Sequence, residues 1–468
     1  MRAKSPRELI RETAPRRFFK QGEVRMAEIF PFRAYRYNSA VVDPAKVLTQ
    51  PYDKITPAMA EKYAAASPYN LIPIEKGKSL PSDTPVENVY TRAAAALDEW
   101  IRAKVIVQDA APSLYAYFQE YTVPGTRERR VRKGFIALGR IEDYSAGVVF
   151  RHEQTLSGPK VDRLELLRHT ETHTGQLFML YSDPAGRVEA LLDAAGRSKA
   201  EVEIRDEYGV VHKMWPVTDA QTLETIRHEM ADKKLVIADG HHRYETALAY
   251  RDERRARAGR LDPNAPYEKV MMTLFNTAGK GLTILPTHRV VANVANFSFA
   301  EFRAALTNAF DVTSYPFSGS AERPQAYEQF RQDLTRGQKQ RAIGAYAGSG
   351  AFHIFVLKKE ANLEVLLPGV SVAQRRLDVV LLHRLILERG LKITPDAVKS
   401  EKNITYEREM DQAIADVDSG RAQICFLTNP VSVETVAEMA MSGEVLPQKS
   451  TDFFPKLMSG IAMYRLKD

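Results

Sequence analysis

The sequence predicts an α/β (α+β) protein, a multi-layer structure on a mixed sheet. Three observations lead there. Leu114 to Tyr121 and Arg130 to Ile141 alternate like paired strands around the turn Pro124-Gly125. Leu235-Val236-Ile237-Ala238 is a short apolar, β-branched run, then Asp239-Gly240 turns the chain and Tyr244, Ala247 and Leu248 recur at helical spacing. Residues 407–441 read helix, strand, helix.

Taken in order, residues 1–25 hold eight Lys or Arg against three Glu, with no apolar stretch of a secretory signal. They are expected to be a disordered basic leader, and Met26 is a plausible alternative start. An N-terminal α/β region is expected over 26–210. In it Pro31 to Tyr37 and Val41 to Asp43 read as extended. Thr56 caps a helix that Pro57 opens, and Val86 to Ile101 is amphipathic. Arg187 to Arg197 reads as a helix, and Val202 to Trp215 as two short strands. Residues 211–297 form the segment around Asp239, with a helix from Thr222 to Met230 before it. Val270 to Asn276 and Leu282 to Val294 read as strands, the second interrupted by Pro286. A small α/β region is expected over 298–370. A C-terminal one follows over 371–468, with a helix from Leu377 to Leu387.

Composition excludes several classes. The net charge is +7, but the leader carries +5 of it, so the body is nearly neutral. With no basic recognition helix either, nucleic acid is not an expected partner. No run of about 18 apolar residues exists, so no membrane span is expected. Cys425 is the single cysteine, which rules out an internal disulfide and points to a reducing, cytoplasmic setting.

The chemistry gathers at Asp239-Gly240-His241-His242-Arg243. Arg243 falls in the first turn of a helix, where the macrodipole opposes a cation. A cation there makes sense if an anion binds too, held by backbone N–H groups, Arg243 and the imidazoles. A second cluster is Arg151-His152-Glu153 with Lys160, Asp162 and Arg163, interrupted by the loop signal Ser157-Gly158-Pro159. Such a loop suits a general base or a Mg2+ ligand. His169 and His173 stand at i and i+4, a zinc-compatible spacing on a helix. His288 and Arg289 follow a strand. Gly443 to Ser450 nearly spells a P-loop, but Gln448 replaces the second glycine, so only Lys449, Ser450 and Thr451 remain as single phosphate donors.

The motif DGHHR resembles the phosphate-binding motif of the ParB/sulfiredoxin superfamily, whose free-serine kinases carry it. Sulfiredoxins have a Gly-Cys-His-Arg version. His241 stands at their cysteine, so the chain is not one of them. The stretches PFRAYRY, TQPYD, RHE with DRL, ADGHHRYETA, ILPTHR, NITY and LPQKST with FFPK resemble the domain of unknown function 1015, from about residue 30 onward. The resemblance implies a ParB/sulfiredoxin-like core and a nucleotide or phosphorylated ligand. The reaction expected is ATP- and Mg2+-dependent phosphotransfer to a small metabolite. Gly240, His241 and Arg243 would hold phosphate, with His288, Arg289, Lys449 and Ser450 as further donors. His242 would donate to a phosphoryl oxygen, and Asp239 or Glu153 would act as base or Mg2+ ligand. Free-serine kinases are much smaller, and their catalytic glutamate has no matched residue here. Two alternatives stand: a nucleotide-gated ParB-like binding module, and a metallohydrolase built on His169, His173 and His241 or His242.

Overall fold

The computed structural model describes residues 26–153, 158–348, 350–447 and 449–467. The leader 1–25, Ser157 and Gln448 lie outside them. The protein is an α/β structure organised on two sheets. The first has nine strands and is drawn from residues 29–276. Its spatial order begins Val149–Arg151, Leu235–Asp239, Leu177–Tyr181, Lys269–Asn276, Arg129–Arg140. It continues Leu114–Thr122, Val211–Val217, Val202–Arg205, with Ile29–Phe30 also on Arg129–Arg140. Val149–Arg151 with Leu235–Asp239, and Leu177–Tyr181 with Lys269–Asn276, are parallel pairs; the other pairs are antiparallel, so the sheet is mixed.

Strand periodicity explains the layers. Successive side chains point to opposite faces. Leu177, Met179 and Tyr181 enter one core with Leu114, Ala116 and Phe118. Phe178 and Leu180 enter the other with Tyr115 and Tyr117. Helices cover both faces. Val188 and Leu192 of Arg187–Ala195, Ile226 and Met230 of Ala220–Met230, and Tyr244 and Ala247 of His241–Ala258 pack on the first face. Leu97 and Trp100 of Val89–Arg102 and Val436 and Met439 of Val433–Met441 pack on the second.

The second sheet is antiparallel, in the order Phe310–Pro316, Ala351–Leu357, Ile343–Tyr346, Ile424–Leu427, His288–Val291, Ile404–Glu407. The chain then returns to the first unit. Asp452–Phe454 pairs with Thr283–Leu285, and Tyr464–Arg465 with Thr172–His173. Gln119 Nε2 donates to Lys456 O at 2.8 Å, and the buried Arg132 donates to Phe454 O at 3.1 Å. These bonds fix the backbone beside Lys456.

Most elements form where the sequence places them, but four differ. The run Leu282 to Val294 is two strands in two sheets, because Pro286 has no N–H to continue a ladder. Val41 to Asp43 is not a strand. Asp43 instead caps the short helix Pro44–Val47 through its carboxylate. The helix Gly158–Thr170 stops before His173, because Glu171 takes φ 44 and Thr172–His173 is extended. His169 and His173 therefore do not share a helical face. Leu377 to Leu387 begins as the single α-turn Asp378–Leu381 and widens into a π-helix, Leu382–Gly390. No helix among the described residues is long and apolar enough to cross a membrane.

Candidate functional site

A cleft of about 250 Å³ opens where the strand Leu235–Asp239 turns into the helix His241–Ala258. Gly240 makes the turn at φ 91, a backbone state that costs a residue with a Cβ. A Cβ there would also lie 3.1 Å from Leu177 Cδ2. No side chain caps this helix, so its first-turn N–H groups are left for a ligand.

Asp239 closes the strand with both oxygens engaged. Oδ1 accepts the Gly240 N–H at 2.8 Å, and Oδ2 meets Lys456 Nζ at 2.7 Å. Lys456 Nζ also lies 3.0 Å from Asp452 Oδ1, and Asp452 Oδ2 accepts from Arg408 Nε at 2.6 Å. Burial pulls the Asp239 carboxyl upward, but the charges of Lys456, Lys54 and Arg243 outweigh it and hold it well below the usual carboxylate range. The same balance depresses Asp452. For Lys456 burial works downward, yet Asp239 and Asp452 raise it, so it stays a cation. Lys54 is pushed down by the neighbouring Lys456 charge and by burial.

Glu153 behaves differently. Burial raises its carboxyl, although Oε1 accepts the Lys449 N–H at 2.9 Å. Of the two carboxylates, it is the one suited to take up a proton. His152, directly before it, is buried and held near pKa 4 by loss of solvent. Its Nδ1 faces the Ile237 carbonyl at 2.7 Å and must donate, so neutral Nε2 accepts from Thr451 Oγ1 at 2.9 Å. That bond leaves the Thr451 oxygen lone pairs available in the cleft.

His241 packs edge-on to His152 at 4.8 Å between ring centroids. Its Nε2 is buried without a hydrogen-bond partner. Burial and the neighbouring His152 keep this ring well below its usual pKa, hence neutral. Burial lowers His242 as well. Arg243 donates through Nη1 to Gln176 O at 3.1 Å, lies 5.5 Å over the Tyr52 ring, and has Nη2 3.9 Å from buried Glu75. Arg163 covers Tyr52 at 4.4 Å. Burial drives the Tyr52 hydroxyl up to about 12, against the pull of Arg243.

The cleft thus brings together Glu153, Asp239, Gly240, His241, His242, Arg243 and Lys449. Thr451 lines it too, and the other residues singled out in the sequence lie elsewhere. Arg151 is exposed, over the Tyr144 ring and 3.6 Å from Glu245. Asp162 pairs with Arg163 and accepts from Tyr90 at 3.1 Å. His288 is buried in the second sheet, where Nδ1 accepts the Thr428 N–H at 3.2 Å. Arg289 sits behind the cleft and donates to Lys449 O at 3.1 Å. Ser450 spends its hydroxyl proton on Pro447 O at 2.5 Å. His169 bonds Glu165 O at 2.8 Å and stacks on Tyr90. Among the described residues no group of three or more His, Cys, Asp or Glu is placed to hold a metal ion.

Sequence reading missed Tyr52, Asp53, Lys54, Gln176 and Lys456. The stretches TQPYD and FFPK were recognisable as patterns, but nothing local gave them a role. Gln176 has no sequence signal; its carbonyl receives Arg243, and its side chain joins Thr273 and Met458.

A search of the curated proteins returns no match. Among solved structures, a conserved hypothetical protein from Pyrococcus furiosus is 13% identical, over 68% of this chain and 92% of that one, with TM-score 0.33. A free serine kinase in complex with AMP is 12% identical over 67% and 89%, also at 0.33. SbnI from Staphylococcus aureus, with a C-terminal truncation, is 10% identical over 69% and 85%, at 0.31. Likenesses of this extent carry nothing about the chemistry of the cleft. The model of the family "Protein of unknown function (DUF1015)" matches residues 29–380, most of the chain, and the chain belongs to that family.

Proposed function

We propose that the cleft binds a nucleotide and transfers a phosphoryl group to a small metabolite. One observation carries the reading: the uncapped N-terminus of an 18-residue helix faces a cleft that also holds a buried, unpartnered imidazole nitrogen and the cations Arg243, Lys449 and Lys456. Free amides, a helix dipole and fixed cations together favour a phosphate. Lys456 donates to Asp239 and lies against Asp452 as an ion pair, and its ammonium retains donor capacity for a phosphoryl oxygen. The neutral His241 supplies a hydrogen bond without adding charge.

Phosphoryl transfer relies on placement and charge neutralisation. The acceptor hydroxyl loses its proton to Glu153 as its oxygen attacks phosphorus, and the nucleoside diphosphate leaves. Asp239 is a poor base, because Lys456 keeps its proton affinity low; it anchors the lysine instead. Mg2+ would be held by phosphate oxygens, water and the Asp53 carboxylate, which suits a site without a protein cage. When bound it would neutralise phosphate charge.

The test is direct. AMP, ADP and ATP are titrated against the full chain by thermal shift, and ATP consumption is followed with a panel of small alcohols and amino alcohols. We expect nucleotide to raise the melting temperature. Glu153→Gln should keep that shift while turnover falls by about 100-fold or more. Absence of any nucleotide-induced shift overturns the reading.

A further inference from the structure

A second cavity, of about 320 Å³, lies beside the cleft. Its size suits a small ligand. Val370 and Gln374 form one side, the π-helix Leu382–Gly390 another, and Ile393 to Val398 a third. π-Helices are rare and concentrate at functional sites. Val445, Leu446 and Pro447 complete the wall. The same stretch of chain continues to Lys449 and Thr451 in the cleft, so it borders both spaces.

Hydrogen bonds join them. Arg289 Nη2 donates to His383 Nε2 at 3.4 Å and to Lys449 O at 3.1 Å, and the Lys449 N–H donates to Glu153 Oε1 at 2.9 Å. In parallel, Gln374 Nε2 donates to Val445 O at 2.9 Å, and the Leu446 N–H donates to His152 O at 2.7 Å.

Charge indicates the kind of ligand. Arg289 is 1% exposed, and its hydrogen bonds go to the carbonyls of Thr287 and Lys449 and to a neutral ring rather than to a carboxylate. Its Nε is buried with no partner. Asp378 and Glu153 act on this cation through space, and it reaches the cavity wall through His383. Because His383 Nε2 accepts from Arg289, the neutral ring carries its proton on Nδ1 and has a donor to offer. Among the described residues Arg384, half exposed, pairs with Glu388 one turn on, a contact that solvent screens. Val370, Val380, Ile393 and Val398 give the cavity its apolar wall, and Gln374 and Glu388 are its other polar lining residues.

We propose that this cavity binds a small monocarboxylate with an aliphatic or aromatic body. Its carboxylate meets His383 and Arg384, and occupancy is coupled to the cleft through Val445, Leu446 and Lys449. The binding site stands without the nucleotide reading; the coupling rests on it. Coupling between two sites is reciprocal, so each ligand changes the affinity of the other by one factor.

The test uses the full chain. Monocarboxylates from butanoate to octanoate, with 4-methylpentanoate and benzoate, are titrated by thermal shift and by ligand-observed NMR, each against its matching primary alcohol. At least one acid should bind saturably, its alcohol should not, and Arg384→Gln should weaken it by about tenfold. Val398→Phe, which fills the cavity, should abolish it. That acid should shift AMP affinity by about fivefold or more, and AMP should shift the acid by the same factor. No saturable acid, or equal binding by the alcohols and by Arg384→Gln, overturns the site. Saturable acid with unchanged AMP affinity overturns the coupling. Saturable acid in a chain that ignores AMP upholds the site and sinks the nucleotide reading.

Discussion

Replacing Lys456 by Met removes the cation between Asp239 and Asp452 while keeping a long side chain. Asp452 retains Arg408 at 2.6 Å, so most of the damage falls on Asp239. Asp239 keeps 36% of its side-chain surface open to the cleft, whereas Lys456 keeps 9%. The loss therefore lies between that of a surface pair, about 0–1 kcal/mol, and that of a buried one, about 3–5 kcal/mol; about 2 kcal/mol is expected. For an unfolding unit of about 150–250 residues this lowers the melting temperature by about 4–8 °C. The pH dependence gives the argument its sharpest edge. In the native protein both carboxyl pKa values are depressed, so their contribution is present above the unfolded value near 3.9 and disappears as pH falls through the folded values. Without Lys456, burial at Asp239 is opposed by Lys54 and Arg243 alone, and its pKa rises. The penalty is then full at neutral pH and is relieved as protonation sets in on acidification. Thermal unfolding of both proteins at pH 7.5 and pH 5.0 should show a wide gap at the first and a narrower one at the second. A gap equal at both pH values, or below about 2 °C at pH 7.5, refutes the reasoning.

Three further substitutions test the rest of the cleft. Arg243→Ala should lower both stability and phosphate affinity: it removes a charged hydrogen bond to Gln176 O worth about 1.5–3 kcal/mol and leaves buried Glu75 with less positive charge nearby, measurable by urea unfolding and phosphate titration on one preparation. His241→Leu should raise the melting temperature, because a buried nitrogen without a partner costs about 1–3 kcal/mol, while nucleotide-induced shifts shrink; stability and binding moving together would count against the reading. Gly240→Ala should cost about 1–2 kcal/mol from the left-handed backbone alone, with Leu177 displaced as well, read by denaturant midpoint.

What was legible in the sequence was local. The apolar run before Asp239-Gly240 and the helical spacing after it gave the strand Leu235–Asp239 and the helix His241–Ala258 almost to the residue. Thr56 and Pro57 gave a helix start through cap chemistry that needs only neighbouring residues. The composition of the cleft was less legible because its contacts span the chain. Arg243 was expected to oppose its own helix and wait for an anion. Its place against Gln176, Tyr52 and Glu75 depends on segments 67 residues and more away. His288 and Arg289 looked like a site pair, but strand alternation sends their side chains to different surroundings. Lys456 carries little signal within its own stretch: Asp452 stands four residues before it, but the partner that gives the lysine its role, Asp239, is 217 residues away.

That separation has a consequence during synthesis. Asp239 and the lysine that neutralises it are 217 residues apart. At about 5–20 residues per second, the strand bearing Asp239 waits about 10–40 s on the ribosome for its counter-charge. Until then the carboxylate is best left in water. The helix after Gly240 can already bury Tyr244 and Ala247 in the core, but the turn before it cannot complete the cleft. The cleft is therefore assembled late, and a nascent chain halted between the two residues holds the DGHHR motif but no finished binding site.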